Sequence, residues 1–320
     1  MNSKEKVLEL LDKSQGKVIS GEEIARQLGV TRNSVWKAIR ALKNDGYDIQ
    51  SQSNIGYVLS CDNDIFTPTK IKALSQNEID VYMLEEESSS NDIAKKMAQE
   101  GAKEGTVVIV KRQTAGKGRL GRSFISNEEN GLYMSIILRP QIPASKSVKI
   151  TVAGAVAVLE AIEELSSASC KIKWVNDIYI NEKKTCGILT EASFNMETGF
   201  LDYAILGIGI NITQPKNGFD EEIKGIATAI YQNEAPKGFK SRLCALVVDK
   251  FLHYYKSLEN EDYIGIYRAK SNLIGKEVIV IRGTDEIEGK VIDIDNDANL
   301  VVRTKEQILK FNSGEARIKK

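Results

Sequence analysis

The chain has 320 residues, 42% of them hydrophobic and 28% charged, which is the composition of a globular protein with two or three domains. The 44 basic and 44 acidic residues cancel, so net charge alone indicates no nucleic-acid partner. No apolar run reaches the roughly 20 residues needed to cross a bilayer, and the charged N-terminus has no signal-peptide core. We therefore expect a cytoplasmic protein without a membrane partner.

The first sixty residues predict a helix-turn-helix. A first helix carries apolar residues at helical spacing, and Ser20 precedes Glu23 at the spacing of a capping box. Ser20 is thus predicted to cap a second helix, which ends at Gly29. Thr31 is predicted to cap a third helix, which ends at Gly46. Two helices joined by a short turn that contains glycine are typical of this DNA-binding motif.

The third helix has one apolar and one basic face, and between Thr31 and Lys43 it contains no acidic residue. The candidate DNA-binding residues on and beside its polar face are Arg32, Asn33, Trp36, Lys37 and Arg40. The segment 47–60 reads as two strands about a turn at Asn54–Gly56, the wing of a winged helix. The alternative is a helical protein-interaction module with a solvated charged face, but the full pattern favours DNA.

The central region predicts an α+β domain with a mixed sheet, because many strands alternate with few helices. The predicted helices are 71–77, 90–100 and 152–165, and the predicted strands are 107–113, 132–140, 171–180, 184–193 and 202–213. Four C-terminal segments, 276–283, 286–295, 299–304 and 307–311, alternate at period two and predict a small SH3-like β-barrel. The expected domains are 1–62, 63–270 and 271–320.

A glycine-rich loop at Gly116–Arg122 formally matches the dinucleotide fingerprint GxGxxG. The fingerprint requires a helix after the loop, whereas the residues that follow predict a turn and a strand. The loop carries three cations, Lys117, Arg119 and Arg122, which suit a carboxylate beside a nucleotide phosphate. A solvated, mobile basic loop is the alternative.

Two further motifs contain polar residues beside predicted strands. Asp177 is the last residue of the segment Trp174–Asp177, and its carboxylate suits Mg²⁺ or a hydrogen-bond donor. Lys184 lies about one hairpin further along the chain and is expected near the same strand end. In the segment Gly207–Asn211 the glycines are expected to leave room for a flat ligand. The lone His253 and the scattered cysteines provide neither a zinc site nor a Ser–His or Cys–His pair.

Together these motifs resemble the biotin protein ligases, in particular the bacterial ligases that also repress the biotin operon. The matching segments are S-S-N at 89–91, Q-T-A-G-K-G-R-L-G-R at 113–122, K-W-V-N-D at 173–177, K-T-C-G-I-L at 184–189, G-I-G-I-N at 207–211 and A-T-A at 227–229. The chain departs from the family at Ser90, Phe124 and Val175, where the family usually has Thr, Trp and Pro.

The resemblance implies a role for each matching residue. Biotin would be bound by Ser89, Ser90, Asn91, Gln113, Gly116, Lys117, Gly118, Arg119, Lys184, Gly187 and Gly207. ATP and the adenylate would be bound by Arg119, Arg122, Asn176, Asp177 and Asn211. The catalytic residues would be Arg119, Lys184 and Asp177, with Asp177 also the candidate Mg²⁺ ligand and the candidate general base.

The resemblance also implies the reaction: ATP activates biotin to biotinyl-5′-AMP, which is then transferred to a lysine of a biotin carboxyl carrier protein. ATP and Mg²⁺ would be the cofactors and biotin the substrate. The adenylate-bound homodimer would repress transcription at an operator DNA. The alternatives are a catalytically silent biotin-sensing repressor and a lipoate ligase.

Overall fold

A computed structural model describes residues 3–319 except 15, 45–46, 53–54, 61–65, 127–129 and 260–261. These residues form two compact units, one from residues 1–75 with 236–245 and one from residues 76–235 with 246–320. The helices are α1 (Ser3–Lys13), α2 (Gly21–Leu28), α3 (Arg32–Asn44), α4 (Pro68–Leu74), α5 (Ser90–Gln99), α6 (Val148–Leu165), α7 (Phe239–Tyr255) and α8 (Asp262–Lys270). None of the described helices is long and apolar enough to span a membrane.

The described strands are between four and twelve residues long. They are β1 (Ile49–Gln52), β2 (Gly56–Leu59), β3 (Val81–Glu87), β4 (Val107–Gln113), β5 (Gly131–Leu138), β6 (Cys170–Lys173), β7 (Asp177–Ile180), β8 (Lys183–Phe194), β9 (Leu201–Asn211), β10 (Glu277–Arg282), β11 (Asp285–Ile294), β12 (Leu300–Arg303), β13 (Ile308–Phe311) and β14 (Glu315–Ile318).

The N-terminal unit contains the predicted helix-turn-helix. Helices α1, α2 and α3 pack on a shared apolar core, and β1 pairs with β2 as an antiparallel hairpin in the position of the wing. Ser20 Oγ accepts a hydrogen bond from the Glu23 backbone N–H at 3.1 Å, and Gly29 ends α2 in the left-handed conformation. The reciprocal half of the capping box is absent, because the Glu23 carboxylate instead pairs with Arg26 at 2.6 Å. The expected helix end at Gly46 and the turn residue Asn54 lie outside the described residues.

The second unit is built on a seven-stranded mixed sheet in the order β3-β4-β5-β9-β8-β7-β6. Only β3 and β4 pair in parallel among these described strands, and α5 makes the crossover between them. Because successive strand residues face opposite sides, β9 presents Tyr203 and Ile205 to α5 and Leu206 to α6. Gly154 of α6 lies close to Leu206, where an added Cβ would be 3.1 Å from the leucine side chain. The sheet therefore has a helix on each face and is buried on both.

The last five strands form an antiparallel sheet in the order β13-β12-β11-β10-β14. Hydrophobic residues at alternate positions, including Val278, Val280 and Val291, are fully buried on one face. The sheet has two ends, at β13 and β14, and no pairing between them closes it within the described residues. The predicted antiparallel strands are confirmed, and β14 is an additional strand that the alternation at 276–311 did not indicate.

Several predicted elements differ from the structure in their bounds, and the expected helix 71–77 is α4 at Pro68–Leu74, which begins three residues earlier because Thr67 caps it. Helix α6 begins at Val148, four residues before the expected start. Thirteen of its eighteen residues are buried, so no amphipathic pattern in the sequence marks where it begins. The expected strand 171–180 is two antiparallel strands, β6 and β7, joined by a turn at residues 174–176. That turn places Asn176 and Asp177 at one strand end, where the candidate site lies.

Candidate functional site

The floor of the site is made by glycines on neighbouring strands. Gly187 of β8 lies directly opposite Gly209 of β9, and Gly207 lies two residues before Gly209 on the same face. A Cβ on Gly209 would be 2.6 Å from the Phe124 ring, and one on Gly207 would be 2.1 Å from Asn91 Oδ1. Phe124 and Asn91 thus lie close against these glycines, and the flat ligand expected there stays a prediction.

These glycines border a cavity, here called the inner cavity. It is lined by Ser89, Ser90, Asn91, Gln113, Lys117, Gly118, Arg119, Phe124, Asn176, Lys184, Gly187, Ile188, Leu189, Gly207, Ile208 and Gly209. Most of the expected biotin-binding residues and Asn176 are therefore brought together from five separate segments of the chain. The lining is mixed, with apolar strand residues below and polar side chains from α5 and the glycine loop around the rim.

The polar wall of the inner cavity lies at the N-terminus of α5. Ser89 caps this helix, and the buried backbone N–H of Ser90 donates to Gln113 Oε1 at 2.7 Å. Gln113 Nε2 in turn donates to Ser126 Oγ at 2.9 Å. The Ser135 hydroxyl donates to Asn91 Oδ1 at 2.6 Å. The wall is thus fixed by hydrogen bonds that set which groups face inward.

The glycine loop folds back on itself as a short hairpin. Gly118 N–H donates to the Arg122 carbonyl at 2.7 Å, and Phe124 N–H donates to the Gly116 carbonyl at 2.8 Å. Its only helical feature is a single 3-10 turn at Arg119–Gly121, so the loop is not a dinucleotide fingerprint. Gly116 lies behind the wall, where a Cβ would be 2.3 Å from the Phe124 carbonyl oxygen. Its role is to permit this close approach and not to line the cavity.

Arg119 is held between two acceptors. Its guanidinium donates to Asn176 Oδ1 at 3.1 Å and to the Gly314 carbonyl at 3.3 Å. Burial lowers the pKa of Arg119, although Asp177 and other anionic groups oppose the shift. The glycine loop, the β6–β7 turn and the segment before β14 therefore meet at the Arg119 guanidinium.

Arg122 lies in an open groove next to the inner cavity, here called the outer groove. This groove shares Lys117, Gly118, Arg119, Ile188 and Leu189 with the inner cavity and is also lined by Leu120, Gly121, Arg122, Ser147, Val148, Thr151, Val175, Thr190, Glu191 and Asn312. Arg122 donates to Glu315 at 2.5 Å. Burial would raise the pKa of Glu315, but hydrogen bonds from Arg122 and Arg317 hold that pKa below its ordinary value.

Lys184 and Asp177 form an ion pair at the predicted strand end. Lys184 Nζ lies 2.8 Å from Asp177 Oδ1, and the same ammonium lies 6.0 Å from the centre of the Phe124 ring. Within the described part of the chain, Asp177 Oδ1 has this ion pair but no hydrogen bond of acceptable angle. The expectation that these two residues meet is confirmed.

Asn211 lies apart from both cavities. It is 7% exposed, and its Nδ2 donates to the Thr228 carbonyl at 3.1 Å. The Lys184 backbone exchanges hydrogen bonds with this same segment, through Ile226 and Thr228. Asn211 thus holds the strand that supports Lys184, and it lines neither the inner cavity nor the outer groove.

The residues at the site that were not expected from the sequence include Ser126, Ser135 and Glu191. Ser135 is fully buried in the otherwise apolar strand β5, and a polar residue in the middle of such a strand is the signal that would have indicated it. Ser126 and Glu191 had no comparable signal. Phe124 is a departure from the family, and its ring covers the two facing glycines, Gly187 and Gly209.

The N-terminal unit has a separate groove beside α3. It is lined by Ser20, Gly21, Glu22, Arg32, Asn33, Trp36, Ile39, Arg40, Lys43, Ser51, Gln52, Ile55, Gly56 and Tyr57, so helix and hairpin both contribute. Trp36 is 49% exposed, and the Arg40 guanidinium lies 5.5 Å from its ring centre. Lys37 is also exposed. All five candidate DNA-binding residues are on the surface.

Three stretches of the chain match known families. Residues 83–211 match the Biotin/lipoate A/B protein ligase family, residues 3–58 match an HTH domain, and residues 273–317 match the Biotin protein ligase C terminal domain. A fold that joins these parts defines a ligase with a DNA-binding unit.

Relatives of similar length extend over almost the whole chain. The bifunctional ligase/repressor BirA of Bacillus subtilis (strain 168) is 34% identical, covering 97% of this chain and 96% of that protein. The protein of the same description from Escherichia coli (strain K12) is 25% identical, covering 94% and 93%. The biotin protein ligase from Aquifex aeolicus, solved with biotin and ATP, aligns with a TM-score of 0.63 at 28% identity over 75% of this chain and 98% of that one. The chain belongs to the family of bifunctional biotin ligase/repressors.

Proposed function

We propose that the chain activates biotin with ATP, transfers it to a lysine of a carrier protein, and represses transcription through its helix-turn-helix. One observation supports the enzymatic part most strongly. The polar wall at Ser89–Asn91 and the cations Arg119 and Lys184 border a single inner cavity that opens into the outer groove. The chemistry of this lining, with hydrogen-bonding groups on one side and cations on the other, suits a bicyclic ligand with a carboxylate tail.

Biotin would place its ureido ring against the polar wall and its carboxylate towards Lys184. Ser89, Ser90, Asn91 and Gln113 supply the hydrogen-bonding groups, and Gly187 and Gly207 border the same cavity. Phe124 covers part of the floor. Because these groups already hold one another through hydrogen bonds, little ordering remains to be done on binding.

In the first step, a biotin carboxylate oxygen attacks the α-phosphate of ATP and pyrophosphate leaves. The protein positions the two anions and stabilises the developing phosphoryl charge with Arg119 and Lys184. Arg122 and Asn176 would bind the nucleotide in the outer groove and at its border. Asn211 would act indirectly, through the Thr228 segment that supports Lys184.

In the second step, the carrier lysine attacks the carbonyl of the mixed anhydride and AMP leaves. No covalent intermediate with the enzyme is needed. Asp177 is our candidate general base, since its carboxylate lies beside Lys184 at the same strand end.

Mg²⁺ would bind mainly through ATP. Among the described residues no group of three or more His, Cys, Asp and Glu side chains could hold a metal. Mg²⁺ commonly takes one carboxylate together with substrate phosphates and water, and Asp177, whose carboxylate is paired only with the Lys184 ammonium among the described side chains, is our candidate for that role. When bound, the ion would neutralise phosphate charge.

For repression, α3 would enter the major groove with Asn33 and Arg40, and Arg32, Trp36 and Lys37 would contact the bases and the backbone beside it. Formation of the adenylate would favour a homodimer that places two such helices on a two-fold operator. We also propose that the C-terminal sheet is an open form of the SH3-like barrel, and that it helps to close the nucleotide site through Gly314 and Glu315.

The enzymatic proposal is tested by incubating the full chain with ATP, Mg²⁺, a carrier domain and either labelled biotin or labelled lipoate. We expect ATP-dependent label on the carrier with biotin only. Transfer of lipoate instead would favour the lipoate ligase. Binding of biotin without transfer would favour the catalytically silent repressor.

The regulatory proposal is tested on a duplex enriched from a random-sequence library in the presence of biotin, ATP and Mg²⁺. We expect tighter binding and a dimer mass when all three are present than when biotin is omitted. Equal affinities would rule out the corepressor role of the adenylate.

A further inference from the structure

Asn91 has an amide that is hydrogen-bonded at both ends. Its Oδ1 accepts from the Ser135 hydroxyl at 2.6 Å, and its Nδ2 donates to Glu191 Oε2 at 2.7 Å. The Ser135 hydroxyl also donates to Ser90 Oγ at 2.8 Å and could accept from a rotated amide. A carboxylate can only accept, so it is Glu191 that decides which way the Asn91 amide points. The side chain is 4% exposed and packs against Gly207. An amide confined in this way presents one fixed face to the inner cavity.

Glu191 reaches Asn91 from outside the inner cavity. It lies on β8 opposite Ile205, two residues beyond Leu189 and on the same face of the sheet. It lines the outer groove but not the inner cavity. It therefore touches a proposed biotin-binding residue without being a biotin contact itself.

Glu191 also acts on the glycine loop through its charge. Lys117 of that loop forms an ion pair with Asp92 of α5. The hydrogen bond with Asp92, and then the charges of Asp92 and Glu191, raise the pKa of Lys117 against the opposing effect of burial. One carboxylate is thus connected both to the polar wall and to the loop that borders it.

We infer that Glu191 is a positioning residue for biotin, which orients the Asn91 amide and thereby sets the affinity of the polar wall. This inference rests on the proposed function. An alanine at position 191 leaves a buried N–H of Asn91 without its acceptor and lets the amide turn. A glutamine keeps an acceptor oxygen of the same reach and removes only the charge.

The test is biotin binding by titration calorimetry, together with transfer kinetics, on the wild type, Glu191→Ala and Glu191→Gln. We expect Glu191→Ala to raise the biotin Kd and KM by about tenfold, because one buried hydrogen-bond donor is left without an acceptor. The kcat at saturating biotin and the KM for ATP should stay within about twofold of the wild type. Glu191→Gln should restore biotin affinity to within about twofold of the wild type.

A double-mutant cycle shows whether Glu191 acts through Asn91. In an Asn91→Ala background, adding Glu191→Ala should change the biotin Kd no further. The matched control is Glu197→Ala, which removes an exposed carboxylate from the hairpin that follows β8 and should leave biotin binding unchanged. A melting temperature for each variant identifies any loss of folding.

Several results would overturn the inference. They are unchanged biotin affinity in a folded Glu191→Ala variant, additive effects in the cycle, or an equal loss of ATP and biotin affinity. If Glu191→Ala does not fold, Glu191→Gln decides the matter, because a tenfold loss of biotin affinity in that variant contradicts an orienting role. A wild type that does not bind biotin at all would instead contradict the proposed function.

Discussion

Arg119 joins three segments that are far apart in the sequence. It donates to Asn176 on the β6–β7 turn and to the Gly314 carbonyl before β14, while belonging itself to the glycine loop. Glycine at this position removes a cation and both contacts, so the loop loses its attachment to the site. The proposed intermediate, a mixed anhydride of biotin and AMP with one negative charge on its phosphate, would then lose a cation that we propose holds it.

We therefore expect Arg119→Gly to release biotinyl-5′-AMP at least about tenfold faster than the wild type. Labelled adenylate is formed on the enzyme, and its escape through a desalting column is followed over time. Arg282→Gly, at an exposed position on β10, is the matched control. Retention equal to that of the wild type would show that Arg119 does not hold the intermediate.

The described cysteines are predicted to be unreactive in the native protein. Cys170, Cys186 and Cys244 are buried, and burial raises the pKa of Cys170 and of Cys244 to about 12 and raises that of Cys186 further. At pH 8 almost no reactive thiolate is present at these sites. Iodoacetamide followed by peptide mass mapping should label them only after denaturant is added. Rapid labelling of Cys170 in the folded chain would contradict its burial.

At the scale of elements, the thirteen residues of α3 have one face that packs on the N-terminal core and one face that is proposed to bind DNA. Its buried residues Val35, Ile39 and Leu42 fix the helix to the N-terminal core, which leaves Lys37 and Arg40 on the open side. The exposed Trp36 gives the Arg40 guanidinium a flat surface to lie on. Cations held in this way suit contacts with phosphates, which dominate the affinity for any duplex.

Lys37→Ala is expected to weaken binding to a duplex of unrelated sequence and to reduce the slope of log K against log salt by about one. The measurement is fluorescence anisotropy at a series of salt concentrations. Lys6→Ala, which removes an exposed cation from α1, is the control and should leave the slope unchanged. An unchanged slope in Lys37→Ala would exclude a phosphate contact by this lysine.

The elements that the sequence predicted well have local signals. Ser20, Gly29 and Thr31 bound short helices through caps that depend on neighbouring residues only, and the structure confirms them. The pairing order of the seven-stranded sheet has no such signal, because β5 pairs with β9 across more than sixty intervening residues. The same reason explains why Glu191 was missed. Its contact with Asn91 spans a hundred positions and becomes visible only once β8 and α5 are placed.

At the scale of the whole molecule, the inner cavity and the recognition helix belong to different compact units of one chain. Coupling between them is a free energy and must be reciprocal. If the adenylate raises affinity for a selected duplex by some factor, that duplex must raise affinity for the adenylate by the same factor. The proposed corepressor role therefore makes a prediction about the enzyme's ligand as well as about DNA.

We expect that factor to be about 5- to 150-fold, the usual range for coupled sites, when both titrations use the same protein concentration. Affinity for biotinyl-5′-AMP is measured with and without the selected duplex, and affinity for the duplex with and without the adenylate. In an Arg40→Ala variant that no longer binds the duplex, adding DNA should leave adenylate affinity unchanged. Unequal factors in the wild type would mean that a third process, such as dimer formation at unsaturated concentration, contributes to one titration. A factor of one in both directions would mean that adenylate binding and DNA binding are not coupled.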